Sequence, residues 1–466
     1  MSKLYIFGIG GTGARVLRSL TMMMAAGVRI GADTVVPIII DPDAANADVN
    51  RAVALMNDYR KVHSKLSFVD EELTQFFRKE ISQIIPGYTL RIQDTNNKEF
   101  RQFIDISSMD RATQAMMRML FSEKNLTSSM DVGFKGNPNI GSVVLNQIVG
   151  SPDFQAFASN FAQGDKIFIV SSIFGGTGAS GFPLLLKTLR TGRNFPNFNL
   201  INGAEIGAIT VLPYFKLKQD KKSEIDSSTF VSKTKSALAY YERNIANNGS
   251  INALYYLGDD MANTYANHEG GTSQRNNAHL IEFLAATAVV DFSLKTHQHP
   301  TVNKELGLKD LTDSVTFASF YDEQYGQLFA PLTQFVLMAN CLTRKFDYYK
   351  SPSFNANETG KFKDIYGTAF MSGLRSFLDS YVGWLEELKG NKRSLDLFNL
   401  ECKDKPFEVV TGVKPKKIVS LKSDYDLVTA RLNSAVKKCR NGEINNRFLE
   451  MFYLATARLV KEKFNA

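Results

Sequence analysis

The 466-residue sequence predicts an α/β protein: a Rossmann-like parallel sheet over about residues 1–300, then a largely helical C-terminal domain over 301–466. Three observations carry this. The runs "LYIF", "VVPIII" and "IFIV" are wholly apolar, as strands buried on both faces are. The first and third run straight into glycine-rich turns and then into helical spacing, the pattern of a covered parallel sheet. Beyond residue 300 the long segments "FASFYDEQYGQLFAPLTQFVLMANCLTRKF" and "INNRFLEMFYLATARLVKEKF" have helical spacing.

In chain order, Leu4 to Phe7 reads as a strand, Gly8 to Gly13 as its turn and Ala14 to Ala26 as a helix. Val35 to Ile40 is a second buried strand ending at Asp41, followed by the polar loop "DPDAANADVN". The segment from about Ala52 to Phe121 is long and irregular, with helical pieces around Glu71–Ile84 and Asp110–Phe121. "VGFKGNPNIGS" reads as a loop, and a helix reaching Gln163 precedes the strand Ile167–Val170. "EIGAITVLPY" and "INALYYLGDD" supply two further strands. Residues 273–296 form one long apolar helix. In the C-terminal part only "FEVVTGV" and "KKIVSL" look strand-like.

Net charge is +8, and residues 351–466 hold 20 Lys or Arg against 14 Asp or Glu, an excess of six. That excess suits an acidic partner, a polymer surface or nucleic acid, and equally a solvated face of mixed sign. No apolar run approaches the ~20 residues of a membrane span. The start "MSKLYIFGIGG" enters a strand directly, unlike a secretory signal. Cys341, Cys402 and Cys439 are scattered, which fits a reducing, cytoplasmic setting. His297 and His299 could hold a metal, but no third ligand stands nearby.

Two glycine loops carry the chemistry. Gly8, Gly10 and Gly13 satisfy G-x-G-x-x-G, the dinucleotide fingerprint. Asp41 could then hold a ribose, although it comes 33 residues after Gly8 where about 20 is usual. A second loop, Gly175–Gly181 in "FGGTGASG", has no standard use in a dinucleotide fold. Nor is it a Walker A loop, because Ala179 and Ser180 stand where Lys and Ser/Thr belong. A lysine-free phosphate site neutralises charge with backbone N–H groups, helix dipoles and a metal. Thr177 and Ser180 could add hydroxyl donors.

With these loops read together, the sequence resembles the tubulin/FtsZ superfamily over about residues 1–300. "GGTGASG" resembles its signature loop, and "FGIGGTGARV", "IIIDPDAANA" and "GFKGNPNIG" resemble its other phosphate loops in order. The resemblance implies binding of GTP or GDP with Mg2+, head-to-tail self-assembly into filaments, and GTP hydrolysis at subunit contacts. It implies that Gly10, Gly11, Thr12 and Gly13 cradle phosphates. Asp43 and Ala44 would lie by the metal and terminal phosphate, with Asp43 the metal ligand. Gly136 and Asn137 would close over that phosphate, and Gly175, Gly176, Thr177, Gly178, Ala179, Ser180 and Gly181 would hold the inner phosphates. Asp259 would read the base, with Asn276 or Asn277 at the opening of the core helix beside it. Asn303 and Glu305 would form the catalytic loop that completes the next subunit's site.

Departures from the family pattern leave alternatives open. Asn303-x-Glu305 lacks the family's final acid in register, and Lys216 and Lys218 stand where a ribose-facing Glu is expected. A GTP-binding switch or scaffold that neither polymerises nor hydrolyses well is therefore one alternative. A Rossmann NAD or FAD oxidoreductase is the other.

Overall fold

The computed structural model describes residues 2–68, 74–92, 95, 97–130, 134, 137–218, 230–246, 248–261, 263–265, 271–273, 275–296, 302–305, 308–309, 312–402, 405–416, 423–440 and 442–464. Seven parallel strands form the central sheet: β1 (Lys3–Ile9), β2 (Thr34–Ile40), β3 (Glu80–Ile81), β4 (Lys166–Ser172), β5 (Glu205–Val211), β6 (Ala253–Leu257) and β7 (Val302–Glu305). Their order is β3-β2-β1-β4-β5-β6-β7. Gly8 of β1 pairs with Ile39 on one side and Val170 on the other, so the chain switches direction across the sheet at β1 and β4. In a parallel sheet every carboxyl end lies on one edge. Ligands bind outside that edge at the switch point.

The main helices are α1 (Gly10–Ala25), α2 (Ala47–His63), α3 (Arg111–Leu120), α4 (Pro138–Leu145), α5 (Pro152–Asn160), α6 (Gly176–Thr191), α7 (Phe230–Tyr241), α8 (Leu280–Leu294), α9 (Asp322–Arg344), α10 (Ala369–Lys389), α11 (Asp424–Val436) and α12 (Ile444–Phe464). Strand alternation feeds two cores. Leu4 and Ile6 of β1 face one that continues through α1 and α8 into the C-terminal helices. Tyr5, Phe7 and Ile9 face the other, under α4, α5 and α6. Trp384 of α10 stacks on Phe283 of α8 with ring centroids 6.0 Å apart, so the C-terminal helices share the sheet's own core.

Several expected boundaries move. α1 begins at Gly10 rather than Ala14, and α6 begins at Gly176, so both glycine turns are first turns of helices. The core helix starts at Leu280 rather than 273: His279 and Glu282 form a capping box that stops the helix there, and Gly271–Ser273 is a separate 3₁₀ turn. The stretch 74–84 is not helical, because Glu80–Ile81 pairs with Thr34 and Val35 as β3. "FEVVTGV" is not a strand either; Pro406–Val409 is a 3₁₀ turn, and Val410 makes a single bridge to Phe398. Asn303 and Glu305 lie in β7, opposite Leu254 and Tyr256, rather than in a loop, so the sheet runs past residue 300.

Candidate functional site

The two glycine turns meet at the switch point. Gly10 has φ +72°, a left-handed backbone that glycine adopts without a Cβ clash, and a Cβ built on it would lie 3.7 Å from the Thr177 Cβ. Gly13 packs on the end of β1, where an added Cβ would come within 2.4 Å of the Gly8 carbonyl carbon. Gly178 packs on the end of β4, with an added Cβ 2.3 Å from the Ser172 carbonyl oxygen. These contacts draw the starts of α1 and α6 down onto neighbouring strands. Neither helix has a side-chain cap: Ile9 and Gly175 precede them without a capping hydrogen bond. The first turns of both therefore direct uncapped N–H groups and dipole ends at one crevice, the arrangement that holds an anion. Gly11, Gly175, Thr177 and Ala179 are partly exposed there, whereas Gly10, Thr12, Gly13, Gly176, Gly178, Ser180 and Gly181 are buried beneath them. The Ser180 hydroxyl donates to the Gly176 carbonyl at 2.7 Å, so it is already engaged with its own helix.

The β2 loop forms an acidic wall. Asp41 accepts from the Asp43 N–H at 2.9 Å and the Asn46 side-chain amide at 3.1 Å. Burial pushes its carboxyl up to about 7, against the partial relief of those hydrogen bonds. Asp41 thus braces the loop. Asp43 accepts from Ala45 N–H at 3.0 Å and from Gly271 N–H at 2.6 Å, tying the loop to the segment before α8. Ala44 is exposed between them. Asn46 caps α2 by accepting from the N–H groups of Asp48 and Val49. Across the crevice Asn137 caps α4, accepting from Asn139 and Ile140 N–H. The third-loop glycine Gly136 lies outside the described residues, as do His297 and His299.

The glycine turns themselves contain no Lys or Arg, and Arg15 of α1, two residues after Gly13, is buried. It donates to Asp48 at 2.7 Å, to the Tyr214 hydroxyl at 2.8 Å and to Glu282. Tyr214 in turn donates to Glu282 at 2.8 Å. Burial opposes the charge on Arg15, but Glu282, Tyr214 and Asp48 outweigh it and hold the guanidinium well above its ordinary value. Asp48 also accepts from Asn276, at 2.9 Å from the backbone and 2.8 Å from the side chain. Asn277 beside it is exposed. Burial, with help from Arg15 and Arg393, pushes His279 down to about 4, so its ring is neutral and caps α8 by accepting from Ile281 N–H.

The C-terminal helices reach this site through two residues. Glu387 of α10 accepts from Arg18 of α1 at 2.6 Å, from Arg51 of α2, and from Ala278 N–H at 2.9 Å. Burial would raise its carboxyl, but the two arginines hold it below the usual range. Arg393 pairs with Asp259, just past the end of β6. Sequence reasoning missed Arg15, Asp48, Tyr214, Glu282, Glu387 and Arg393. The polar residues inside otherwise apolar α1 and α8 were the available signal. Asn303 and Glu305 stand in β7 away from the glycine turns. β7 is three strands from β4, or about 14 Å at the usual strand spacing, so both residues are set to one side of the glycine turns. Within one chain they do not join the crevice.

The uncapped N–H groups of the two turns suit a phosphate group. Among the described residues no three His, Cys, Asp or Glu side chains cluster as an all-protein metal site. Mg2+ is ordinarily held by one or two carboxylates together with phosphate oxygens and water; Asp43, in the loop after β2, is a buried carboxylate whose two oxygens each accept one N–H bond, from Ala45 and Gly271.

No family profile matches the chain, and no curated protein matches it. Among solved structures, the chain is similar to an FtsZ variant of M. jannaschii, at 14% identity and TM-score 0.28, over 56% of this chain and 47% of that one. It is similar to CetZ1 of Haloferax volcanii as a GDP-bound monomer, at 14% identity and TM-score 0.29, over 55% and 51%. It is also similar to CetZ2 of Haloferax volcanii in a GTPγS-bound protofilament, at 14% identity and TM-score 0.29, over 55% and 49%. The chain spans about half the length of these structures.

Proposed function

We propose that the chain is a tubulin/FtsZ-like cytoplasmic protein that binds GTP or GDP with Mg2+ and assembles head to tail. The observation that carries this reading is the pair of touching, uncapped glycine turns at the start of α1 and α6. A single dinucleotide loop has no need of the second. Backbone N–H groups of Gly10–Gly13 and Gly176–Gly178 bind phosphate oxygens, Asn137 closes one side, and Asp43 holds the metal. When bound, Mg2+ supplies the positive charge that the loops lack. Hydrolysis requires Glu305 and Asn303 of a second copy, because those of the same chain lie along β7. Glu305 orients water for attack there.

Light scattering and negative-stain images of the full chain with Mg2+ and GTP, against GDP, test the assembly. Filaments with GTP are expected, and Glu305→Ala is expected to keep filaments while slowing phosphate release. A second reading, a GTP-binding switch that stays monomeric, draws support from the Arg18–Glu387–Arg51 link between the site and the C-terminal helices. Nucleotide binding without filaments across protein and salt concentrations favours the switch.

A further inference from the structure

Arg375 of α10 makes no ion pair among the described residues, although a carboxylate stands within reach of its helix turn. Asp379 lies four residues on, at the spacing where opposite charges on a helix ordinarily meet. The guanidinium instead lies over the Phe346 ring, 3.8 Å from its centroid. The stacking covers Nε, a buried donor without an acceptor among the described residues, and leaves the outer N–H groups as the donors still to be used. Phe346 is held in turn by Tyr366, with ring centroids 5.8 Å apart, and Tyr366 is 5% exposed. Aromatic rings, rather than an opposite charge, therefore fix this guanidinium in place.

A cavity of about 660 Å³ opens beside the stack. Small-molecule sites are ordinarily clefts of about 300–1,000 Å³. Phe346 and Tyr366 line one part of it, and Ser372, Arg375, Ser376 and Asp379 of α10 line another. Ser372 and Ser376, three residues before Arg375 and one after, set two hydroxyls beside the guanidinium. Hydroxyl and guanidinium donors on one wall suit an anion with several acceptor oxygens, as a phosphate group has. Arg375 is half-buried, whereas Ser372, Ser376 and Asp379 are exposed, so the cavity is open to a ligand. Asp379 adds an acceptor one turn further along. An ionised carboxylate only accepts, so it takes hydroxyl donors and repels a bare anion. The site is separate from the glycine turns, but α10 also carries Glu387, twelve residues on, or about 18 Å at helical rise.

We infer that this cavity binds a phosphorylated sugar or polyol, with its phosphate on Arg375, Ser372 and Ser376 and its hydroxyls on Asp379. The inference stands apart from the nucleotide reading, since none of these residues belongs to that site. Each part of the ligand answers a part of the wall. The donors select an anion. Asp379 selects a body that carries hydroxyls. The volume exceeds what a lone phosphate fills and leaves room for that body.

The test is calorimetry on the full chain, first saturated with GDP and Mg2+ so that the glycine turns are filled. The probes are glucose 6-phosphate, glycerol 3-phosphate, inorganic phosphate and glucose. At least one ester is expected to bind with a Kd of about 1 mM or below, inorganic phosphate about threefold more weakly or worse, and glucose not at all up to about 10 mM. Arg375→Gln, which keeps a stem over Phe346, is expected to weaken ester and phosphate about tenfold or more, the loss of one charge-assisted contact. Asp379→Ala is expected to weaken the ester about threefold and to leave inorganic phosphate unchanged or tighter. Should Arg375→Gln fail to fold, Ser376→Glu decides: it sets a carboxylate in the anion's place on an exposed face, and is expected to abolish binding with the urea midpoint unchanged. Esters that do not bind, that bind no better than inorganic phosphate, or that bind as well to Arg375→Gln or Ser376→Glu overturn the inference. Equal weakening of ester and phosphate in Asp379→Ala overturns it too. A wild type that takes no GDP overturns the nucleotide reading alone, and the same variants still decide this site.

Discussion

Replacing Gly178 with alanine puts a single methyl between α6 and the end of β4. The added Cβ would lie 2.3 Å from the Ser172 carbonyl oxygen and 2.9 Å from the Ser172 nitrogen. Ser172 cannot yield, because it is paired to Val211 of β5, and Val170 just before it is paired to Ile209 on one side and Gly8 on the other. The first turn of α6 must retreat by roughly 1 Å to restore an ordinary contact, and overpacking of this kind costs about 1–3 kcal/mol. The larger effect is on the ligand. Hydrogen bonds to a charged group are worth about 1.5–3 kcal/mol each. Losing two from Gly176–Gly178 removes about 3–6 kcal/mol, or roughly 10²–10⁴ in affinity. Urea unfolding gives the first number and GTP titration the second. Gly373→Ala is the control: it lies within α10 with nothing within 4 Å of an added Cβ, and gains about 0.4–1 kcal/mol from reduced chain entropy. Wild-type affinity and stability in Gly178→Ala would refute the claim that this glycine holds α6 against β4 for phosphate binding.

Three other outcomes follow from the same contacts. Arg15→Met strands Asp48 and Glu282, whose side chains are 0% and 1% exposed, and is expected to cost about 3–5 kcal/mol in urea unfolding; under 1 kcal/mol would contradict the network. Glu387→Gln removes the charge shared by Arg18 and Arg51, and is expected to cost about 1–3 kcal/mol and to speed amide exchange at the start of α8; unchanged exchange around Ala278 would contradict the link. Asp41 has its carboxyl raised to about 7 from 3.8, so the folded state binds the extra proton and stability falls as pH rises from about 4 through 7. Asp41→Asn is expected to flatten that fall, and equal pH profiles for wild type and variant would contradict it.

The strands β1, β2 and β4 were legible because nothing polar interrupts "LYIF", "VVPIII" or "IFIV". β3 was not, because two residues carry no periodicity of their own and pairing with Thr34 and Val35 decided the matter. Helix starts were misjudged for two opposite reasons. Glycines at the head of α1 and α6 read as turns, although strand packing holds them in helical turns. The polar lead-in "SQRNNAH" read as part of the apolar helix that follows it, although the His279 cap begins that helix later. The two glycine turns were visible because their glycines are closely spaced. The groups beneath them were not, because Arg15 meets Glu282 across 267 residues and Arg18 meets Glu387 across 369. Such pairs leave no local pattern. Asp259 shows both sides: its position was marked by the end of a strand, but its Arg393 partner was not.

The most direct measurement is the nucleotide held by the chain. Purified protein, incubated with Mg2+ and a mixture of GTP, ATP, NAD and FAD, then desalted and acid-denatured, releases its ligand for ion-exchange chromatography. The account predicts guanosine di- or triphosphate at close to one per chain in the wild type and little in Gly178→Ala. Release of NAD or FAD, or of no nucleotide at all, would contradict it.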